Sequence, residues 1–286
     1  MAFHLSEVIG SSLIAAQGVT SYMRNNKTRP RSSTTVRKAL DILCCFSVSK
    51  PIWGISELSR ELHLSKSHVH QLLKSLEEKG FAQRDLIIQK YKLGFKLLEL
   101  GEIVSRTLDV RRAAAPFMQD LQRQVGGTVS LRVLDNDELL VVERVEPADF
   151  LRVAYPVGTR LPYNHGAGGK VLLAFMDQEE RKGLFKRKPL KKLTQKTVTD
   201  PEKLEAELSA IRKRGFAVSK GEAVPGGAVG VAAPIRDSRG SVAAALAVTL
   251  PASLVPSVSF PRISRATVSM ALRISQALGY KNSSSK

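Results

Sequence analysis

The sequence predicts two domains of different class: a winged helix-turn-helix unit, mostly α, followed by an α+β domain. Three observations carry this. The chain has 286 residues, more than one ordinary domain needs. Between Val36 and Gly80 apolar residues recur at helical spacing, interrupted by short polar breaks. Beyond residue 127 the pattern changes to period-two segments interleaved with helical ones.

Residues 1–33 are expected to form a flexible basic extension. Its end, from Arg24 to Arg31, is polar and cationic without an apolar period, and suits contact with phosphates. The apolar patch Ser12–Ala16 follows Glu7, where a signal peptide would carry lysine or arginine, so it reads as an unprocessed segment. No run approaches the ~20 apolar residues of a membrane span, and the chain is expected in the cytoplasm. Val36, Leu40, Ile42, Leu43 and Phe46 mark a first helix. Cys44 and Cys45 lie inside it and point in different directions, which suits neither a metal site nor a disulfide; a core thiol beside a partly covered one is expected. Ile55–Leu62 is a second helix, with Ser56 as the expected cap and Glu57 in its first turn. His63-Leu64 is a tight break, and Ser65–Lys79 a third helix, stopped by Gly80. Phe81–Asp85 and Lys90–Gly94 read as two strands of a hairpin bearing Arg84, Lys90 and Lys92, with an apolar tip at Leu86, Ile87 and Ile88.

The third helix separates by face. Val69, Leu72, Leu73 and Leu76 form a stripe that needs burial. Opposite it stand Ser67, His70, Gln71 and Lys74, with Lys66 in the first turn and no acid before Glu77 and Glu78. Base edges offer donors and acceptors, and flanking phosphates attract cations, so this distribution suits a helix that lies in the major groove. A solvated polar face would look the same. The order helix, helix, turn, helix, basic hairpin favours the winged helix-turn-helix, and a net charge of +18 favours a polyanionic partner. The expected contacts to double-stranded DNA are Lys66, Ser67, His70, Gln71 and Lys74, with Arg84 and Lys90 from the hairpin. His63, His68 and His70 lack carboxylate or cysteine partners, so no metal site is expected.

In the second domain Val129–Leu134 and Leu139–Val145 read as a hairpin across Asp135–Asp137. Leu151–Tyr155, Ala228–Pro234 and Val242–Leu250 are further strand candidates, and Glu202–Lys213 and Arg262–Gly279 are helices. The glycines Gly166, Gly168 and Gly169 followed by Lys170 look at first like a nucleotide-phosphate loop. The spacing excludes it: Asn164 stands where the first glycine belongs, and Val171 where the magnesium-binding hydroxyl belongs. What survives is a helix opening whose free N–H groups can hold a carboxylate. No nucleophile–base set, carboxylate pair or metal cluster presents itself, so neither an enzyme nor a cofactor is expected. An enzyme acting on a small acid, or a constitutive DNA binder without ligand, are the alternatives. The basic run Arg181–Lys192 is expected to be solvated surface.

In order and spacing, residues 36–94 resemble the DNA-binding domain of the IclR family of bacterial transcriptional regulators, and the likeness continues to about residue 280. Phe95–Leu108 resembles the family's linker helix and Val110–Gly126 the helix after it. Leu161-Pro162 with Gly169-Lys170 matches its "LP…GKxxLA" segment, and Lys213–Val218 and Val231–Asp237 its later motifs. The resemblance implies a DNA-binding domain over 34–94, a linker over 95–108 and a GAF-like effector-binding domain over 109–286. It also implies homodimers, often paired into tetramers, on an operator with paired half-sites. The implied effector is a small organic acid held by backbone N–H groups and by side chains across the sheet. By position those residues are Ala167, Gly168, Ser219, Val229, Ala247 and Thr249. Several are apolar, so an acid with an apolar, aromatic or branched body is expected. The chain departs from the family at His68 and Gln71, where threonine and arginine are usual. It departs also at Asn164, where histidine is usual and here follows at His165, and at the apolar wing tip.

Overall fold

The computed structural model describes residues 33–147, 155–224, 227–252 and 260–281. The extension 1–32 and the strand candidate at 151–154 lie outside the described residues. Tertiary contacts divide the chain into two units that meet at Thr107 and Leu108.

The first unit comprises α1 (Thr34–Cys45), α2 (Ile55–Glu61), α3 (Lys66–Glu78), the antiparallel pair β1 (Ala82–Asp85) and β2 (Lys90–Leu93), and α4 (Lys96–Thr107). It is a winged helix-turn-helix. Its core gathers Ile42, Trp53, Leu58, Val69, Leu72, Leu73 and Tyr91, so the apolar stripe of α3 is the face that packs. Cys45 is buried and Cys44 exposed. The break before α3 uses His63 in the left-handed region, φ 53°, and Ser65 caps α3 by accepting the His68 N–H at 3.3 Å. The expected cap of α2 is corrected. Gly54 is the N-cap residue and its N–H donates to the Glu57 carboxylate at 2.6 Å, while Ser56 lies inside the helix. An acid at the third helical position reaches back to the cap, so Glu57 fixes the start three residues earlier. Trp53 extends the wing sheet, exchanging both backbone hydrogen bonds with Tyr91 at 2.9 and 2.8 Å.

The second unit is α+β. It comprises α5 (Asp109–Val125), β3 (Thr128–Asp135), β4 (Glu138–Val145), β5 (Arg160–Pro162), α6 (Gly166–Phe175), α7 (Gln178–Arg187), α8 (Pro201–Arg214), β6 (Ala217–Lys220), β7 (Ala228–Arg236), β8 (Val242–Pro251) and α9 (Phe260–Ala277). Its strands form one antiparallel sheet in the order β5-β4-β3-β8-β7-β6. Met118 and Leu121 of α5 and Ile274 of α9 pack with Leu131 and Leu246 on one face. Val171 and Leu173 of α6 and Leu208 and Ile211 of α8 pack with Val141 and Ala245 on the other. Both faces are therefore covered, and alternate residues along each strand enter different cores.

The strands β5 and β6 and the helix α7 were not expected. The strands have three and four residues, too few to display a period. Asp177 starts α7 by accepting the N–H groups of Glu179 and Glu180 at 2.9 and 3.1 Å. Along Arg181–Lys192 the solvated-surface expectation holds for Lys182, Lys186, Arg187, Lys191 and Lys192, which are exposed, and fails at Arg181. Arg181 is buried, forks onto Glu205 of α8 at 2.9 and 2.8 Å, and donates to the Met176 carbonyl at 2.8 Å. Among the described residues, no helix is long and apolar enough to cross a membrane.

Candidate functional site

In the first unit Lys66, Ser67, His70, Gln71 and Lys74 are all exposed along α3, on the face opposite Val69, Leu72 and Leu73. Neither lysine has a carboxylate partner among the described residues. The two hairpin cations are less free. Lys90 pairs with Glu57 at 3.2 Å, and Arg84 bonds Gln89 and lies 6.0 Å from the Tyr91 ring. The Gly54 N–H, then Lys90, hold the Glu57 carboxyl below its usual range, so this pair belongs to the architecture of the wing.

The second unit holds a pocket between the start of α6 and strands β3, β6, β7 and β8. His165 is the N-cap residue of α6 but makes no side-chain cap, which leaves the N–H groups of Gly166, Ala167 and Gly168 at the pocket edge without a capping acceptor. Ala167, Gly168, Ser219, Ala247 and Thr249 line the space, where they were expected. Val229 does not. Its neighbours Ala228 and Gly230 line it instead, because on β7 the side chain of residue 229 goes to the opposite face, that of Val231.

The pocket also holds a charged residue that was not among those expected there. Arg132 of β3 reaches the pocket floor, 6% exposed, and no acid among the described residues pairs with it. Its Nε donates to Ser130 Oγ at 3.1 Å, and Nη1 lies 3.5 Å from His165 Nδ1. His165 Nε2 in turn lies 3.1 Å from the Tyr155 hydroxyl. Burial pulls the Arg132 guanidinium down to about 10, still charged at neutral pH. Burial first, and Arg132 second, push His165 down to about 3, so the imidazole is neutral. The glycines serve this arrangement. A methyl group at Gly168 would come within 2.9 Å of Arg132 Cδ, and one at Gly169 within 2.3 Å of the Tyr163 carbonyl oxygen. The pocket is narrow, with a cavity of about 20 Å³.

A helix-turn-helix with a free cationic face, and a cation-floored pocket in an α+β unit, are the parts of a ligand-responsive DNA binder. Family models match both: "IclR helix-turn-helix domain" over residues 35–86 and "Bacterial transcriptional regulator IclR C-terminal" over residues 103–276. The chain belongs to the IclR family. Among IclR-type relatives, the regulator KipR of Bacillus subtilis is 33% identical over 246 residues, 86% of this chain and 97% of its own length. The crystal structure of the Thermotoga maritima IclR superposes with a TM-score of 0.73 at 31% identity, covering 87% of this chain and 100% of that one. An IclR homologue from Microbacterium hydrocarbonoxydans, solved in complex with 4-hydroxybenzoate, superposes at 0.77 with 28% identity over 86% of this chain and 99% of that one. The protein is thus an IclR-type transcriptional regulator that binds DNA through its helix-turn-helix, and not an enzyme.

Arg132 and Tyr155 were missed as IclR pocket residues. For the first, the alternation of Ser130 and Arg132 with Val129, Leu131 and Val133 was visible, but it points to a buried site only once both faces of the sheet are known to be covered.

Proposed function

We propose that the effector is a small organic monocarboxylate whose carboxylate sits on Arg132 at the opening of α6, and that its binding changes operator affinity. Arg132 is the observation that carries this. A buried guanidinium without an acid is costly, and a ligand carboxylate is the partner that offsets the cost. The free N–H groups of the helix opening favour the same charge, and Ser219, Thr249 and the Tyr155 hydroxyl offer polar groups beside it. Ala228 and Ala247 supply an apolar strip for a flat or branched body, and the 4-hydroxybenzoate complex of a relative supports an aromatic one. In operator binding, Lys66, Ser67, His70, Gln71 and Lys74 are assigned to the major groove. A homodimer on two half-sites fits the apolar residues Val36 and Leu40 of α1, Phe95 just before α4, and Leu98 and Ile103 of α4, all exposed in the single chain.

The test is calorimetry with benzoate, 4-hydroxybenzoate, 2-oxoisovalerate, pyruvate and the neutral benzamide. At least one acid with an apolar body is expected to bind more tightly than pyruvate, and benzamide not at all. Arg132→Met is expected to weaken the acid by about a hundredfold while melting no lower than the parent, because it removes an unpaired buried charge. Equal binding of benzoate and benzamide, or a methionine variant that binds as well as the parent, would sink the assignment.

A further inference from the structure

The wing ends in three consecutive aliphatic residues, of which Leu86 and Ile87 stand largely uncovered among the described residues and Ile88 is half covered. Leu86 is 76% exposed, Ile87 93% and Ile88 48%. Such a run on a solvated surface is a liability unless it is used.

The tip is rigidly built. Asp85 Oδ1 accepts the N–H groups of Ile87 and Ile88 at 2.9 and 3.2 Å. Gln89 turns the chain at φ 53°, and its side chain donates to the Leu86 carbonyl at 2.6 Å while accepting from Arg84. Below the tip, the Trp53–Tyr91 backbone pair and the Lys90–Glu57 ion pair fasten the stem to the rest of the unit. An ordered aliphatic point on a fixed stem has little conformational freedom left to lose on contact.

Two observations select the occupant. The stem is cationic: Arg84 and Lys92 stand on its strands beside Lys90, whose charge Glu57 offsets, and its one acid, Asp85, is occupied by the turn amides. A rim of that sign suits a channel walled by phosphates. The stem also continues directly from the groove-reading helix, since the Phe81 N–H donates to the Leu76 carbonyl of α3 at 2.8 Å and β1 packs against α3. We propose that the wing tip enters the minor groove beside the site read by α3, and that Ile87, with Leu86, wedges part-way between two base pairs. The wedge unstacks that step and bends the duplex toward the major groove. Aliphatic side chains make no hydrogen bonds to bases; the contact gains apolar burial against base faces at the expense of stacking. The exchange is cheapest at flexible pyrimidine–purine steps such as TA or CA, so the tip selects sequence through deformability. The proposal is independent of the acid at Arg132.

The test uses the full chain on a duplex that it selects from a random-sequence pool. Energy transfer between end labels reports the bend, and 2-aminopurine placed at each step in turn reports unstacking. One pyrimidine–purine step per half-site is expected to brighten on binding. Ile87→Ser is expected to abolish the brightening, reduce the bend and weaken binding about ten-fold, and Ile87→Met to restore all three. A mismatch at the same step, already unstacked, is expected to tighten the parent more than the serine variant. Ile87 is on the surface, so its folding is not at stake. If the parent brightens no step, or Ile87→Ser leaves bend and brightening unchanged, the proposal fails. A serine variant that alters sedimentation mass but not the bend would make the tip a protein contact and would equally overturn it.

Discussion

At the scale of single residues, Arg132 and His165 divide one buried environment between two protonation states. Arginine can only donate, so His165 Nδ1 must accept, which puts the proton on Nε2 facing the Tyr155 oxygen. The Tyr155 hydroxyl proton is then directed elsewhere, and burial holds it on the phenol by raising its pKa. The neutral imidazole has a thermodynamic consequence. In the unfolded chain His165 protonates near its ordinary value of 6.5, but in the folded protein only near 3. Between those values falling pH lets the unfolded chain bind a proton that the folded one refuses, so stability drops by up to about 1.4 kcal/mol per pH unit from this residue alone. Above pH 6.5 the side chain is neutral in both states and contributes no slope. Urea midpoints measured from pH 8 to pH 4 for the parent and His165→Asn are expected to run parallel above 6.5 and diverge below it. Parallel curves throughout would mean that His165 is not buried neutral. The family resemblance, carried over by position, put Ala167, Gly168, Ser219, Ala247 and Thr249 at the pocket, yet neither it nor the residue pattern included Arg132. A strand arginine looks solvated until the second helical layer is known, and that layer is set by long-range packing that no local pattern encodes.

At the scale of elements, α6 holds the pocket lip as well as its edge. Lys170 points into the protein, 2% exposed, between Glu207 at 2.7 Å and Glu222 at 2.5 Å, and it does not line the pocket. Glu222 precedes Ala223 and Val224, which do. Thr194 and Thr197 fasten the same segment through the carbonyls of Gly221 and Glu222 at 2.8 and 2.7 Å. The interior is too narrow for an aromatic ring as it stands, so this lip has to yield when such a ligand enters. Glu222→Gln weakens one of its ties while Glu207 still serves the ammonium. Amide exchange at Gly221–Val224 is expected to quicken about ten-fold, with α8 unchanged. Equal acceleration in α8 would show that the pair supports the whole fold and not the lip. The lysine that made this stretch look like a phosphate loop is therefore a structural cation. Elements with long periods or explicit caps, such as α3, α8 and α9, were legible in sequence. The short edge strands β5 and β6 were not, and α7 was hidden by basic residues whose partners Glu205, Asp137 and Glu138 lie far along the chain.

At the scale of the whole molecule, the net charge of +18 and the two sites meet in one linkage relation. Phosphate neutralisation sets affinity and its salt dependence, so Lys74→Ala is expected to flatten the plot of log affinity against log salt by a slope of ~0.9 for one lost phosphate contact. Gln71→Ala is expected to leave that slope alone and relax preference at particular base pairs. On the proposed function, an acid effector acts on top of this only by binding two states of the protein with different affinity, and the coupling is reciprocal: if the acid changes operator affinity by some factor, the operator changes acid affinity by the same factor. Both arms can be measured with the acid that binds most tightly, by anisotropy of labelled operator with and without acid, and by calorimetry of acid with and without operator. The two factors are expected to agree in the parent. In Arg132→Met operator affinity without acid is expected to match the parent's, while both factors fall to one. If acid still shifts operator affinity in that variant, the ligand is held somewhere other than the Arg132 pocket. If acid binds the parent but neither factor departs from one, the pocket is occupied without consequence for DNA, and its role in regulation is refuted while the binding assignment stands.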